Sequence, residues 1–290
     1  MDRTRAVVLL VALAAALVLP FAAGPFWMGL ATQMLIFGLL ALSTDLLLGH
    51  AGLFSLCHAS FFAVSAYTVA ILQVRHGVPT ALAAPAGLLL GTALAAVFGL
   101  SVRTRGVYFI LVTLALGYVI WGVAHRWSSF TGGDNGVTNV PFPGAGPLAI
   151  VSHTQYYYLV LAIVALCMLG YRTGAHLYAA FVLAGALASF AGVLYVYYNR
   201  FVNPVTASFP ISVEAVLMAI IGGSGTVIGP FLGSGIILGL RNWVSSFFEL
   251  YAAVLGIVFI ATVLWAPAGI MGIAGQLRAR IGRTRPGPAA

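Results

Sequence analysis

Three side chains that could carry charge lie within long apolar stretches of the sequence: Asp45, His58 and Glu214. Ionisable groups at membrane depth are energetically costly, so such residues face protein or water rather than lipid. For Glu214 the sequence leaves two interpretations equally open. One is a hydrogen bond between helices or an ion pair with Arg200 or Arg241, and the other is a place on a translocation pathway or in proton coupling.

His58 and a glycine-rich segment are two further candidates for a place on a translocation pathway. A single imidazole is no ligand cluster, so His58 is interpreted as a helix-packing histidine with satisfied hydrogen bonds, ahead of a role in a pathway. The segment Gly222-Gly223-Ser224-Gly225-Thr226 separates two short apolar stretches, which predicts a discontinuous helix pair near the C-terminus. An unwound stretch between half-helices exposes backbone dipoles that a polar solute or a partner can use.

The composition indicates that these residues belong to a membrane protein. Lys and Arg number 13, Asp and Glu number 5, and 62% of the 290 residues are hydrophobic, which leaves too little polar surface for a soluble globule. The apolar stretches do not alternate with polar residues, which disfavours a β-barrel. We therefore expect an all-α, polytopic transmembrane helical bundle that forms one domain over residues 1–290.

Hydropathy predicts about eight full spans plus the broken pair, since each span needs about 20 apolar residues. A first span is favoured over a cleaved signal peptide for residues 6–23. The other predicted spans are residues 28–48, 53–74, 80–100, 107–124, 156–169, 175–198 and, last, 251–265. The broken pair covers residues 211–221 and 227–240, and we expect it to dip into the membrane and return.

The positions of the arginines predict which side of the membrane each connecting segment faces. The chain has no lysine, and nine of its arginines lie at residues 3–5, 103–105, 172 and 278–285. The positive-inside rule predicts that these segments, with the basic tail at 273–290, are cytoplasmic and contact lipid headgroups rather than nucleic acid. Residues 126–155 then form an external loop. Its segment Thr131-Gly132-Gly133-Asp134-Asn135-Gly136 is interpreted first as an ordered turn and alternatively as a docking surface or lid.

Common enzyme motifs are absent from the sequence. Without lysine the standard nucleotide-binding loop cannot occur, and neither His-Glu-x-x-His nor Gly-x-Ser-x-Gly is present. Cys57 and Cys167 lie in apolar runs and are interpreted as inert buried thiols. We expect no enzymatic activity, no metal and no cofactor bound by this chain.

Several segments, in order along nearly the whole chain, resemble the M-type permease of branched-chain amino acid ABC importers. They are residues 49–62 (GHAGLFSLCHASFF), 105–109 (RGVYF), 131–136 (TGGDNG), 201–204 with 212–214, 221–230 (IGGSGTVIGP) and 266–272 (APAGIMG). The resemblance implies a multi-pass subunit of the bacterial inner membrane that forms a pathway with a sister H-type permease. Two ATPase subunits would supply energy from ATP. A periplasmic or lipid-tethered binding protein would deliver leucine, isoleucine, valine or a similar small polar solute.

The resemblance also implies a location for each candidate site. The pathway candidates are Glu214, Gly222, Gly223, Gly225, His58 and Ser55. The external docking candidates are Thr131, Gly132, Gly133, Asp134, Asn135 and Gly136. The candidates for cytoplasmic coupling to the ATPase are Arg103, Arg105 and Arg172.

One departure from the family pattern concerns this coupling. The family's long charged link before residue 175 is reduced here to Tyr171-Arg172-Thr173-Gly174. A deletion that uncouples the subunit, a complex in which the sister permease carries the coupling, and a sequence error all remain open. We expect the fold and pathway to be kept and ATPase docking on this side to be weakened. The rival functions are a self-contained gradient-driven carrier or channel and a permease for urea or short-chain amides.

Overall fold

The computed structural model describes residues 24–144, 152–169 and 177–244, together with residues 17, 20, 254, 256–258, 260, 264 and 269–272. Within these residues the helices are α1 (Pro25–Ala51), α2 (His58–His76), α3 (Thr80–Phe98), α4 (Val107–Arg126), α5 (Ser128–Thr131), α6 (His153–Leu169), α7 (Leu177–Asn199), α8 (Phe209–Gly222) and α9 (Gly229–Val244). Short 3₁₀ turns cover Gly99–Arg103, Gly133–Asn135 and Pro204–Ala207. The expected all-α bundle is confirmed.

Four described segments are long and apolar enough to cross a membrane: Pro25–Ala51, Thr80–Arg103, Val107–Arg126 and Leu177–Asn199. At 1.5 Å per residue, the 27 residues of α1 extend about 40 Å, more than the ~30 Å of a hydrocarbon core. The predicted span at 6–23 lies almost entirely outside the described residues, and most of the span at 251–265 does as well. The link at 170–176 and the basic tail lie wholly outside them, so the number of spans stays a prediction.

The centre of the bundle is formed by α1 and α7, whose sequences are apolar on all sides. More than half of the residues of α1 and of α7 are buried, whereas few residues of α3 and α4 are. Large apolar side chains such as Leu89 on α3 and Leu111 on α4 point away from the bundle. A surface of this kind suits lipid or another membrane subunit rather than water.

Small residues let α2, α3 and α7 approach closely. A side chain at Gly192 would overlap the backbone carbonyl of Phe62, and one at Gly91 would overlap Ser189. The hydroxyl of Ser65 on α2 donates to the carbonyl oxygen of Ser189 on α7 at 2.6 Å. The seam therefore combines close backbone packing with a hydrogen bond between helices, as is common in membranes.

The broken pair forms an antiparallel helical hairpin from α8 and α9. Gly222 packs against Gly229 near the connecting loop, and Gly233 packs on the backbone of Met218 one to two turns further along. α9 also runs antiparallel to α1: Gly38 packs against Phe231, and the hydroxyl of Ser234, further along α9, donates at 2.8 Å to the carbonyl of Met34, which lies earlier on α1. The predicted break between two helices that run in opposite directions is thus found in the backbone. The side of the membrane on which this hairpin begins and ends remains a prediction.

The start of α2 differs from the sequence prediction. Residues 53–57 were expected to be helical, but the helix begins at His58. Gly52 ends α1 in the left-handed conformation at φ +66°, and the N–H of Leu53 turns back to the Leu47 carbonyl at 3.0 Å. The apolar residues 53–57 that follow are therefore not helical, and a second non-helical stretch lies between two helices of the bundle.

Segments on the predicted external side also pair with one another. Strand β1 (Val137–Thr138) pairs antiparallel with β2 (Phe201–Val202), with Val137 opposite Val202. Arg200 supports the same contact, because its Nε donates to the Val140 carbonyl at 3.0 Å. The loop after α4 and the segment after α7 therefore form one joined surface.

Candidate functional site

The glycine break is held to α1 by a buried carboxylate. The backbone N–H of Gly225 donates to both side-chain oxygens of Asp45, at 2.9 and 3.1 Å, and Asp45 is almost fully buried. One turn further along α1, a side chain at Gly49 would overlap the Gly225 backbone. The break was expected to expose its dipoles to a solute, but at Gly225 the N–H is already bound by the protein.

The C-terminal segment closes the other side of the break. Gly269 has φ +65°, and a side chain there would meet the backbone of Gly223 at 2.5 Å. The N–H of Gly223 bonds back to the carbonyls of Ala219 and Ile220. The break is therefore a packed junction between α1, the hairpin and residues 269–272, and of its glycines Gly222 and Gly223 are buried while Gly225 is exposed.

The N-terminus of α2 receives hydrogen-bond acceptors from two distant helices. The N–H of Leu56 donates to the hydroxyl of Thr113 on α4 at 3.2 Å, and the N–H of Ala59 donates to the hydroxyl of Ser212 on α8 at 3.1 Å. The first N–H groups of a helix have no partner within it, so the Ser212 hydroxyl replaces the missing carbonyl at Ala59, and Thr113 fixes the residue before the N-cap. The start of α2 thus joins α4 to the hairpin.

His58 lies at this junction and is completely buried. Its ring packs against Phe61 and Phe181, with centroids 5.8 and 6.3 Å away. Among the described residues, neither ring nitrogen has a hydrogen-bond partner. The packing role was predicted correctly, but the satisfied hydrogen bonds were not found, because the neighbours on both sides are aromatic.

Cys57 and Ser55 contact each other, whereas Cys167 lies in different surroundings. Cys57 is buried, and its sulfur is 3.4 Å from the hydroxyl oxygen of Ser55, a contact in which either group can donate. Cys167 is partly exposed, so the prediction of burial was right for Cys57 alone. Ser55 is therefore part of the non-helical segment before α2 and contacts its own chain.

Glu214 pairs with Arg241, one of the two partners that the sequence suggested. Their closest atoms, Oε2 and Nη1, are 3.7 Å apart. The Glu214 side chain is 8% exposed, whereas that of Arg241 is 47% exposed. The pair therefore connects the interior of the hairpin to the surface of the described chain.

The glycine-rich segment that is predicted to be external is an ordered turn. The single hydroxyl proton of Thr131 is shared by the carbonyl oxygens of Ala124 and Trp127, which lie 2.6 and 2.9 Å from Oγ1, and Oγ1 accepts the N–H of Gly133. Asp134 is 81% exposed, and its Oδ1 lies 2.8 Å from Nδ1 of His125. The structural interpretation of this segment thus fits, while its docking role stays a prediction.

The remaining candidates lie apart from these junctions. Arg103 and Arg105 are exposed in the connection between α3 and α4, and Arg172 lies outside the described residues. A mostly apolar cleft of about 330 Å³ lies between α2 and α4, lined by residues that include Tyr67, Ile120 and Thr131. None of the predicted pathway residues lines this cleft.

Comparisons with known proteins agree with the resemblance. Residues 26–174 and 165–263 match the sequence model of a family described as branched-chain amino acid transport system / permease component. The chain belongs to this family. The permease is 24% identical to the high-affinity branched-chain amino acid transport system permease protein LivM of Salmonella typhimurium strain LT2, over 87% of this chain and 71% of the relative. The LivM protein of Escherichia coli strain K12 matches equally well, and no solved structure matches the chain significantly.

The comparisons also concern the short link. The two matched segments of the permease meet at residues 165–174, where the link is reduced. The alignment with the Salmonella relative covers 303 positions, of which about 50 have no residue in this chain. Both observations fit a missing internal segment.

Sequence reasoning missed several residues that build these junctions. It singled out Asp45 without its partner, and it did not identify Thr113 or Ser212 as acceptors for the start of α2. One local signal was available, because Asp45 and Gly49 are four residues apart and so lie on the same face of α1.

Proposed function

We propose that this chain is the permease subunit of an ABC importer for branched-chain amino acids in the bacterial inner membrane. The observation that supports it best is the match to the permease family over residues 26–263, in a chain of apolar helices. The permease forms the translocation path with a sister H-type permease. It has no enzymatic activity of its own and binds no cofactor.

Energy comes from partner subunits in this proposal. Two ATPases hydrolyse ATP on the cytoplasmic side, and a periplasmic or lipid-tethered binding protein delivers leucine, isoleucine or valine to the external side. Thr131–Gly136 faces this binding protein, since the turn is ordered and Asp134 is exposed. Glu214 and the junction at Gly222–Gly225 lie near the path.

Reconstitution in lipid vesicles tests this function. We expect leucine uptake only when the permease is combined with the sister permease, both ATPases, the binding protein and ATP. Uptake by the permease alone that follows a proton or sodium gradient would favour the rival carrier. Uptake of urea or acetamide that outcompetes leucine would place the chain among the amide importers.

The short link adds a specific expectation about the ATPase. A family-type loop between Gly174 and Ala175 would restore the contact that the short link weakens, while Arg103, Arg105 and Arg172 supply residual contacts. We expect the native permease to co-purify with less ATPase than the variant with the inserted loop. A scrambled loop of equal length is the control, and equal recovery of both ATPases by the native chain would show that coupling does not need the segment.

A further inference from the structure

The cleft between α2 and α4 opens at the surface of the bundle. Tyr67 and Ile71 on α2 form a buried wall, whereas Leu90 on α3 and Val123 on α4 line the opening and are about half exposed. An occupant of the cleft therefore contacts the permease on one side and its surroundings on the other. For a membrane protein, these surroundings are lipid or another subunit.

The cleft is long and narrow. Its lining on α2 runs from Ala63 to His76, which at 1.5 Å per residue is about 20 Å. Spread over that length, 330 Å³ corresponds to a mean cross-section of about 16 Å². A helix with its side chains is about 10–12 Å across and does not fit, whereas one acyl chain does. The length is also enough for one leaflet, which is half of a ~30 Å hydrocarbon core.

The end of the cleft at His76 has the features of a membrane interface. Trp127 and Phe130 line the cleft there, are exposed, and have ring centroids 4.8 Å apart. Tryptophan is enriched at the level of the lipid headgroups, and the charge rule predicts that this end is external. The cleft therefore extends from headgroup level towards the middle of the membrane.

A cation lies beside this end of the cleft. Arg75 is exposed, its Nη1 donates to the Ser129 carbonyl at 2.7 Å, and its guanidinium carbon lies 6.0 Å from the ring centroid of Phe130. A guanidinium has five N–H donors, so this contact leaves donors for a phosphate group. Asp134, the carboxylate of the neighbouring turn, lies against His125. The charge at this end therefore suits an anionic headgroup.

We propose that the cleft binds one anionic phospholipid, of the phosphatidylglycerol type, from the external leaflet. One acyl chain lies between α2 and α4, and the phosphate binds Arg75 and the exposed imidazole of His76. A free amino acid does not suit this cleft, because its charged groups would lie against apolar side chains. The inference goes beyond the proposed function and does not depend on which solute the permease carries.

Photolabelling locates the lipid directly. The full-length permease is placed in phosphatidylcholine nanodiscs with a small fraction of phosphatidylglycerol that carries a diazirine on one acyl chain, and labelled residues are mapped by mass spectrometry. We expect at least fivefold more label in the cleft segments 63–76 and 120–131 than around Leu89 and Leu111, which are exposed elsewhere on α3 and α4. Unlabelled phosphatidylglycerol should compete at least fivefold better than added phosphatidylcholine.

Two substitutions test the two parts of the site. Arg75→Gln should remove the advantage of phosphatidylglycerol in this competition. Val123→Trp fills the opening and should lower the labelling of residues 63–72 at least threefold. Its matched control is Val119→Trp, at an exposed position of α4 that does not line the cleft, and this variant should label as the native chain does.

Several results would overturn the inference. One is native labelling of the cleft at the level of Leu89 and Leu111, and another is equal competition by the two lipids. Loss of the cleft label when the sister permease is added would identify a subunit interface instead of a lipid site. If a variant does not fold, the labelling and competition of the native permease still decide, since neither needs a substitution.

Discussion

The carboxylate of Asp45 accepts the backbone N–H of Gly225 through both of its oxygens, although 180 positions separate the two residues. This contact fastens the tip of the α8–α9 hairpin to the Ala51 end of α1. Gly49 and Gly269 also pack on the glycine segment, so the tip is held from two sides while Gly225 itself stays exposed.

Replacing Asp45 with alanine should loosen this tip. A hydrogen bond to a charged acceptor contributes about 1.5–3 kcal/mol, so we expect Asp45→Ala to lower the free energy of unfolding by about that amount. Asp45→Asn keeps one acceptor oxygen and should lose less. The check is the thermal midpoint of the detergent-solubilised permease, and native midpoints for both variants would contradict the contact.

Two glycines on α9 offer a matched test of the hairpin. A side chain at Gly233 would overlap the Met218 carbonyl, whereas nothing lies within 4 Å of one at Gly239. We expect Gly233→Ala to destabilise the permease by about 1–3 kcal/mol, the usual cost of overpacking. Gly239→Ala should be neutral or stabilise by up to about 1 kcal/mol through its better helix propensity. Equal thermal midpoints for the two variants would refute the packing of α9 on α8.

Removal of the buried imidazole should not cost stability. Because neither ring nitrogen of His58 has a partner among the described residues, a leucine at this position buries no polar atom. We expect His58→Leu to keep or raise the thermal midpoint, with His58→Gln as the polar control that lowers it. A midpoint lowered by His58→Leu alone would reveal a hydrogen bond that the present geometry lacks.

The hydroxyl of Thr131 should control the order of the external turn. Thr131→Val has the same shape but loses the hydroxyl proton shared by the Ala124 and Trp127 carbonyls and the acceptor for the Gly133 N–H, so we expect faster hydrogen exchange in residues 128–136 and a loss of about 1–2 kcal/mol in local stability. The control is Thr138→Val at an exposed position of β1. Unchanged exchange in the Thr131 variant would mean that the glycines alone order the turn.

Part of this architecture could be predicted from local sequence. The glycines at 222–225 separate two apolar stretches that are each too short for a span, and this pattern predicted the hairpin. The start of α2 could not be found in the same way, since Leu53 and Phe54 are as apolar as the helix that follows. The acceptors that fix it, Thr113 and Ser212, are 57 and 153 positions from their donors. Likewise, the sequence suggested Arg200 or Arg241 as the partner of Glu214. The choice of Arg241 follows from the packing of α9 on α8, which the sequence alone does not show.

The contact between Asp45 and Gly225 joins two residues that are synthesised at well separated times. Ribosomes add about 5–20 residues per second, so Asp45 is made about 10–40 s before Gly225 exists. During that interval α1 enters the membrane with a carboxylate whose later partner is still missing. The insertion machinery or water at the membrane surface must accommodate this charge until the hairpin arrives, and a nascent chain arrested before residue 225 would be held in that state.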